Sequence, residues 1–282
     1  MRWLTRAGVD FIFVDFTNLM HSTDGGTWYY QVTKPFSVLL NTLNEMINDG
    51  EKVPKIVPWL GNWQEFNNFN SYNTTVIDKF YESYFMDSKY DNLWLYYNGK
   101  PLLMTVVKYS DERFTYRNTW ALFNNQNSIN NGGWTWRQPL DGHSNYGSNI
   151  LYGKDELGNI EEMSVNTAIS TYYMSYINDS SVTFPRNNGL TFYEQWKNVF
   201  SKHPKITLVG TWNEWGAQKY YCNYNSNEYC FTDQYNQEYS NDIEPMLGGH
   251  GDKYYRMLIK YIDDYRNYRE ITGYFENNIF VT

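Results

Sequence analysis

Residues 206–218 read I-T-L-V-G-T-W-N-E-W-G-A-Q. Ile206 to Val209 form a short, largely apolar and β-branched run, which suits a buried strand better than a helix. The run follows an amphipathic segment ending near His203-Pro204, as a parallel strand follows a crossover helix. Directly beyond it stand Trp212, Asn213, Glu214 and Trp215. A carboxylate between two indoles at the C-terminal end of a strand is where α/β barrels carry their reacting groups. The plainer alternative makes the two tryptophans core and Glu214 a solvated loop acid.

The same design recurs upstream. Phe11 to Val14 are apolar at successive positions, as a parallel strand covered on both faces requires, and Asp15 closes the run. K-I-V-P-W-L-G-N-W-Q-E, residues 55–65, is another short strand followed by Trp59, Trp63 and Glu65. Helical periodicity is expected over 36–47, 74–85, 190–201 and 254–265. Strands are expected over 93–97, 100–107, 114–122 and 162–170, with a turn at Asn98-Gly99. The segments 28–35, 142–157 and 219–229 read as loops. Together these predict an α/β chain of the (β/α)8 TIM-barrel type, forming one domain over 1–282. Because Leu4–Ala7 reads as a helix end capped by Gly8, the barrel is expected to be N-terminally incomplete and to lack its first strand.

Composition narrows the function. Aromatic residues make up 20% of the 282, with 11 Trp and 28 Tyr. An AT-rich gene inflates tyrosine but not tryptophan, so the Trp content is the stronger clue. Rings that pair an apolar face with a polar tip suit sugars, which offer C–H faces to stack on and hydroxyls to bond. The net charge of −8 and the lack of a basic block argue against nucleic acid and anionic membrane surfaces as partners. No apolar run is long enough to insert in a membrane, and mean hydropathy is −0.67. Cys222 and Cys230 stand close enough in sequence to close a small disulfide loop in an oxidising compartment. Their spacing does not suggest zinc, and neither a metal nor a cofactor is expected. Asn73-Thr74-Thr75 and Asn178-Asp179-Ser180 are glycosylation sequons, which favour a secreted, surface or lumenal setting, with the cytoplasm as the alternative. P-loop, G-x-S-x-G and G-x-G-x-x-G motifs are absent.

Glycoside hydrolysis needs two carboxyl groups astride the scissile bond, one to protonate the leaving oxygen. Glu214 is the first candidate, since an acid beside indoles holds its proton more tightly. Asp15 is the first candidate partner, with Glu238 and Asp233 from the acidic stretch 231–245 also open. That stretch also reads as a solvated loop or a calcium site, though it lacks the spacing of a dedicated calcium loop. Trp59, Trp63, Trp120, Trp212 and Trp215 are expected to line sugar subsites. Arg117, Gln138, Asn213, Asp233 and Gln234 are expected to bond sugar hydroxyls.

T-W-N-E-W-G-A-Q resembles the W-N-E-W-H-E-G segment of glycoside hydrolase family 99, the endo-α-mannosidases and endo-α-mannanases, and of the wider family-99-like or WbsX-type domains. G-V-D-F-I-F-V-D-F-T-N, G-K-P-L-L-M-T-V and D-Q-Y-N-Q-E-Y-S-N-D-I-E-P resemble other stretches of those proteins, from Gly8 to about Arg266. The resemblance implies a (β/α)8 barrel that acts on glycans without a metal. It departs at one place: the family's second glutamate falls on Ala217, and its histidine on Gly216. The family pair is held to act through the sugar 2-hydroxyl and a 1,2-anhydro intermediate. The departure implies either a second acid from elsewhere (Asp15, Glu238) or a domain that binds glycan without cutting it. An accessory role in surface polysaccharide assembly is a further alternative.

Overall fold

The computed structural model describes residues 1–17, 28–61, 71–106, 111–119, 130–136, 150–169, 184–214, 219–221, 227–231, 237–276 and 279–281. The chain is mixed α/β and divides into two compact units, Met1–Trp120 and Ala121–Thr282.

In the first unit α1 (Arg2–Ala7) ends at Gly8, whose φ of 85° lets the next amides reach back to Leu4 and Thr5. β1 (Phe11–Phe16), β2 (Lys55–Leu60), β4 (Lys100–Thr105) and β5 (Thr115–Asn118) lie side by side in that order, all parallel. The short β3 (Tyr96–Tyr97) pairs antiparallel with the start of β4. Between them Asn98 (φ 53°) and Gly99 (φ 82°) take the two left-handed positions of a tight hairpin turn.

One face of this sheet carries Phe16, Ile56, Leu60 and Leu103 into an apolar cluster with the helices. In α2 (Lys34–Asn48) the cluster receives Phe36, Leu40 and Leu43, one helical face at i, i+4 and i+7. α3 (Ser71–Phe80) adds Val76, Ile77 and Phe80. Phe80 meets Phe16 (centroids 5.0 Å apart), Trp28 (5.3 Å) and Tyr84 (5.4 Å), so much of the aromatic content of this unit is core. The expectation of a loop over 28–35 is corrected here. Tyr29–Thr33 is a π-helical turn that runs into α2, whose second residue is Pro35.

In the second unit β7 (Ile160–Asn166) pairs parallel with β8 (Ile206–Gly210) and antiparallel with β6 (Gly153–Lys154). The expected strand over 162–170 therefore begins two residues earlier and stops at Asn166, and the expected irregular stretch contains β6. α4 (Leu190–Lys202) presents Phe192, Trp196 and Val199 as one buried face. α5 (Lys253–Arg266) meets it with Tyr254 and Tyr261 around Phe192, at centroid distances of 6.3 and 5.8 Å. Tyr261 donates to the Gly273 carbonyl (2.7 Å) and the half-buried Tyr265 to that of Pro204 (2.7 Å), so both hydroxyls are satisfied. The expected loop over 219–229 is instead flanked by a hairpin, β9 (Lys219–Tyr221) with β10 (Tyr229–Phe231). A second short hairpin, β11 (Tyr274–Glu276) with β12 (Ile279–Val281), follows α5.

Candidate functional site

Parallel register puts Asp15, Trp59, Met104 and Arg117 in one row across the first unit's sheet. Residues in register share a face, so this row lies opposite the face that feeds the helix-packed cluster. Asp15, next to last in β1, reaches solvent, yet burial by the surrounding protein raises its carboxyl above the ordinary aspartate value. The Thr17 amide opposes this, donating to Oδ1 at 2.7 Å.

Its neighbours in the row are less available. Trp59 is fully buried, edge-on to Phe13 with centroids 5.9 Å apart. The expectation that Trp59 lines a sugar subsite is corrected: its ring has no face left to offer. Arg117 donates to its neighbour's carbonyl, that of Tyr116 (2.9 Å), and lies 5.5 Å from the centre of the Tyr97 ring. Tyr97 pairs with the first residue of β4, so the guanidinium is turned away from the C-terminal strand ends.

In the second unit the segment after β8 is braced by the chain at 240–244. Ile243 donates to the Thr211 carbonyl (3.1 Å), and Glu244 to that of Trp212 (2.9 Å). The Thr211 hydroxyl donates to Asp242 Oδ1 (2.8 Å), and Asn213 Nδ2 to Glu244 Oε2 (2.9 Å). Trp212 is half-buried, its ring edge-on to Tyr255 of α5 at 6.0 Å. Glu214 follows, half-buried, on a mount fixed by backbone, side-chain and ring contacts. Asp242 is sealed, so one acid of the 231–245 stretch is structural rather than a solvated loop group.

Glu238 is the candidate acid of the 231–245 stretch that the structure describes. Its side chain is exposed and accepts the Asn187 amide (2.7 Å), while its carbonyl accepts that of Arg186 (2.7 Å). It therefore tethers the turn that leads into α4, as acidic caps do. Trp63, Trp120, Gln138, Trp215, Asp233 and Gln234 lie outside the described residues, as does Cys222. Among the described residues no group of three or more His, Cys, Asp or Glu stands together to hold a metal, and no helix is long and apolar enough to cross a membrane.

Three polar groups had drawn no functional reading in the sequence. Glu162, Ser164 and Asn166 alternate along β7 and are all sealed from water. Glu162 accepts from the Thr135 amide (2.6 Å) and hydroxyl (3.1 Å), and burial, then the neighbouring Glu161, raises its carboxyl well above the glutamate range. Glu161 accepts from the Trp134 indole (2.7 Å). Asn166, at the C-terminal end of β7, donates to the Gly210 carbonyl (3.0 Å), while its own amide donates to Gln195 of α4 (2.7 Å). Arg186, also sealed, donates to the Asp242 carbonyl (2.7 Å) and lies 4.4 Å from the centre of the Tyr254 ring. The alternation of E-M-S-V-N was visible, but in a sequence it signals a solvated face as readily as a polar interior.

No protein-family model matches the chain, and no curated protein matches it. Solved structures do, among them two of one kind of enzyme. A GH99 endo-alpha-mannosidase from Bacteroides thetaiotaomicron superposes with a TM-score of 0.55, covering 96% of this chain and 79% of that one at 14% identity. The GH99 endo-alpha-mannosidase of that organism in complex with bis-tris propane gives 0.52, covering 95% and 82%, also at 14% identity. The chain has a GH99-like fold. At this identity the likeness concerns backbone architecture alone, and it extends over both units of the chain. Within the GH99-like fold, Asp15 and Glu214 each stand at the C-terminal end of a parallel strand, or just past it.

Proposed function

We propose that the protein is a glycoside hydrolase of the (β/α)8 type, a single domain over 1–282, that cleaves a neutral oligosaccharide or polysaccharide. Glu214 is its principal catalytic carboxylate and Asp15 the second. The observation that carries this reading is Asp15, desolvated yet reachable by water at a strand's C-terminal end, in a chain with a GH99-like fold. A carboxyl held above its ordinary pKa keeps its proton into the pH range where a leaving glycosidic oxygen needs one. Glu214, on its braced segment, then serves as the base or nucleophile. Trp212, Trp215, Trp63 and Trp120 are the proposed stacking surfaces, and Asn213, Gln138, Asp233 and Gln234 the proposed hydroxyl contacts. Trp59 and Arg117 leave that set because of their burial and direction, and Glu238 leaves the acids because its carboxylate tethers the Asn187 turn. Two asparagine sequons and the proposed substrate favour a secreted or surface setting.

A second reading has its own support. Ala217 and Gly216 stand where the resembled motif carries glutamate and histidine, which favours a domain that binds glycan without turnover. A panel of α- and β-linked oligosaccharides separates the two. Turnover by the wild type that Glu214→Gln and Asp15→Asn each abolish supports the hydrolase. Turnover unchanged in Glu214→Gln removes Glu214 from the mechanism, and binding without turnover in any protein favours the binding module.

A further inference from the structure

The hairpin of β9 and β10 leaves the chain five residues after Glu214, on the same strand-end excursion. Tyr221 is seven residues from Glu214, a span of at most about 25 Å, so the hairpin stands within an extended glycan's length of that carboxylate. Cross-strand register pairs Tyr221 with Tyr229 and position 219 with Phe231, which puts 221, 229 and 231 on one face. Tyr221 is 55% exposed, Tyr229 50% and Phe231 39%. The two tyrosine rings stack with centroids 4.7 Å apart and planes at 27°, and their hydroxyls are hydrogen-bonded at 3.0 Å.

A cross-strand aromatic pair stabilises a hairpin, but that role is served as well by rings folded onto the core. Here three residues on one face each keep more than a third of their surface exposed. Their chemistry selects the occupant. The paired hydroxyls of Tyr221 and Tyr229 rim flat rings, a combination that suits the C–H faces and hydroxyls of sugars. An acidic chain, with a net charge of −8, also disfavours a polyanion. We propose that Tyr221, Tyr229 and Phe231 form a stacking platform for a neutral glycan chain, holding the part of the polymer that extends beyond the residues bound at Glu214. This rests on the glycan reading above and adds a place for the substrate's length.

Affinity electrophoresis of the full chain through gels carrying yeast mannan, galactomannan, laminarin or xyloglucan tests it. Wild type, Tyr221→Ala/Tyr229→Ala and Tyr221→Thr/Tyr229→Thr are compared, the threonine pair keeping strand propensity if the alanine pair fails to fold. The expected result is retardation of the wild type by at least one polysaccharide, with association about tenfold weaker in the ringless variants. Equal retardation of all three overturns the platform and leaves the glycan reading standing. Retardation of none also overturns it, and turnover on short oligosaccharides then judges the glycan reading separately. A wild type that sediments as a dimer, with monomeric ringless variants, overturns it in favour of a contact between copies.

Discussion

Asp15 and Glu162 are both strand carboxyls that burial drives above their ordinary pKa, and they sit in opposite surroundings. Asp15 is next to last in β1, meets water, and has the Thr17 backbone and hydroxyl as its opposing donors. Glu162 faces the first residue of β8, has no exposure, and is enclosed by Thr135, Gly153 and Trp134. The same electrostatic cause thus acts in two different settings. In parallel α/β folds groups at the C-terminal strand ends react, and groups at the opposite ends hold the fold. A raised pKa alone does not mark a catalytic acid; access decides.

The largest test of that contrast is Asp15→Asn. Turnover on a cleaved oligosaccharide is expected to fall about 10²–10⁴-fold, while the thermal midpoint stays level or rises. A lower midpoint with unchanged turnover would make Asp15 structural and erase the contrast. Glu162→Ala should do the reverse, costing about 2–5 kcal/mol in denaturant unfolding, because it opens a cavity and strands buried donors. Gly153→Ala probes the same enclosure from the backbone. Its new Cβ would stand 2.4 Å from Trp134 Cδ1 and 3.1 Å from Glu162 Oε2, and overpacking of this kind costs about 1–3 kcal/mol.

The pH dependence sharpens the comparison further. Folded Glu162 binds its proton more tightly than the unfolded chain does, so stability should fall as pH rises above about 4.5 toward the folded value. Glu162→Gln should flatten that slope in unfolding curves measured from pH 4 to 8. His250 has the opposite sign. Desolvation, then Arg186, lowers it to about 4, so stability should fall as pH drops from 6.5 toward that value. His250→Asn should remove this acid-side loss.

Much of the scaffold was legible before any coordinates. The apolar runs at Phe11, Ile56 and Ile206, the 3.6-residue pattern of α2, α4 and α5, and the Asn98-Gly99 turn all express local periodicity and local backbone preference. Residues 28–35, read as a loop, instead form a π-helical turn and the start of α2. The tryptophans misled in a different way. Trp28, Trp59, Trp94, Trp134, Trp136 and Trp196 are all buried, so most of the described indoles build core rather than offering faces to sugar. Ring count reports how much aromatic surface exists, and says nothing of which side of it is covered.

The amino-acid order by itself determined most of the long strands and helices, and that carboxylates follow the strands, because those features depend on near neighbours in the chain. Tertiary structure alone decided that Asp15 meets water while Glu162 does not, that Asp242 turns inward to Thr211, and that Glu238 tethers a turn. Each of those outcomes depends on groups tens of residues away. Desolvation is a sum over everything packed around an atom, and that sum exists only once the chain has folded.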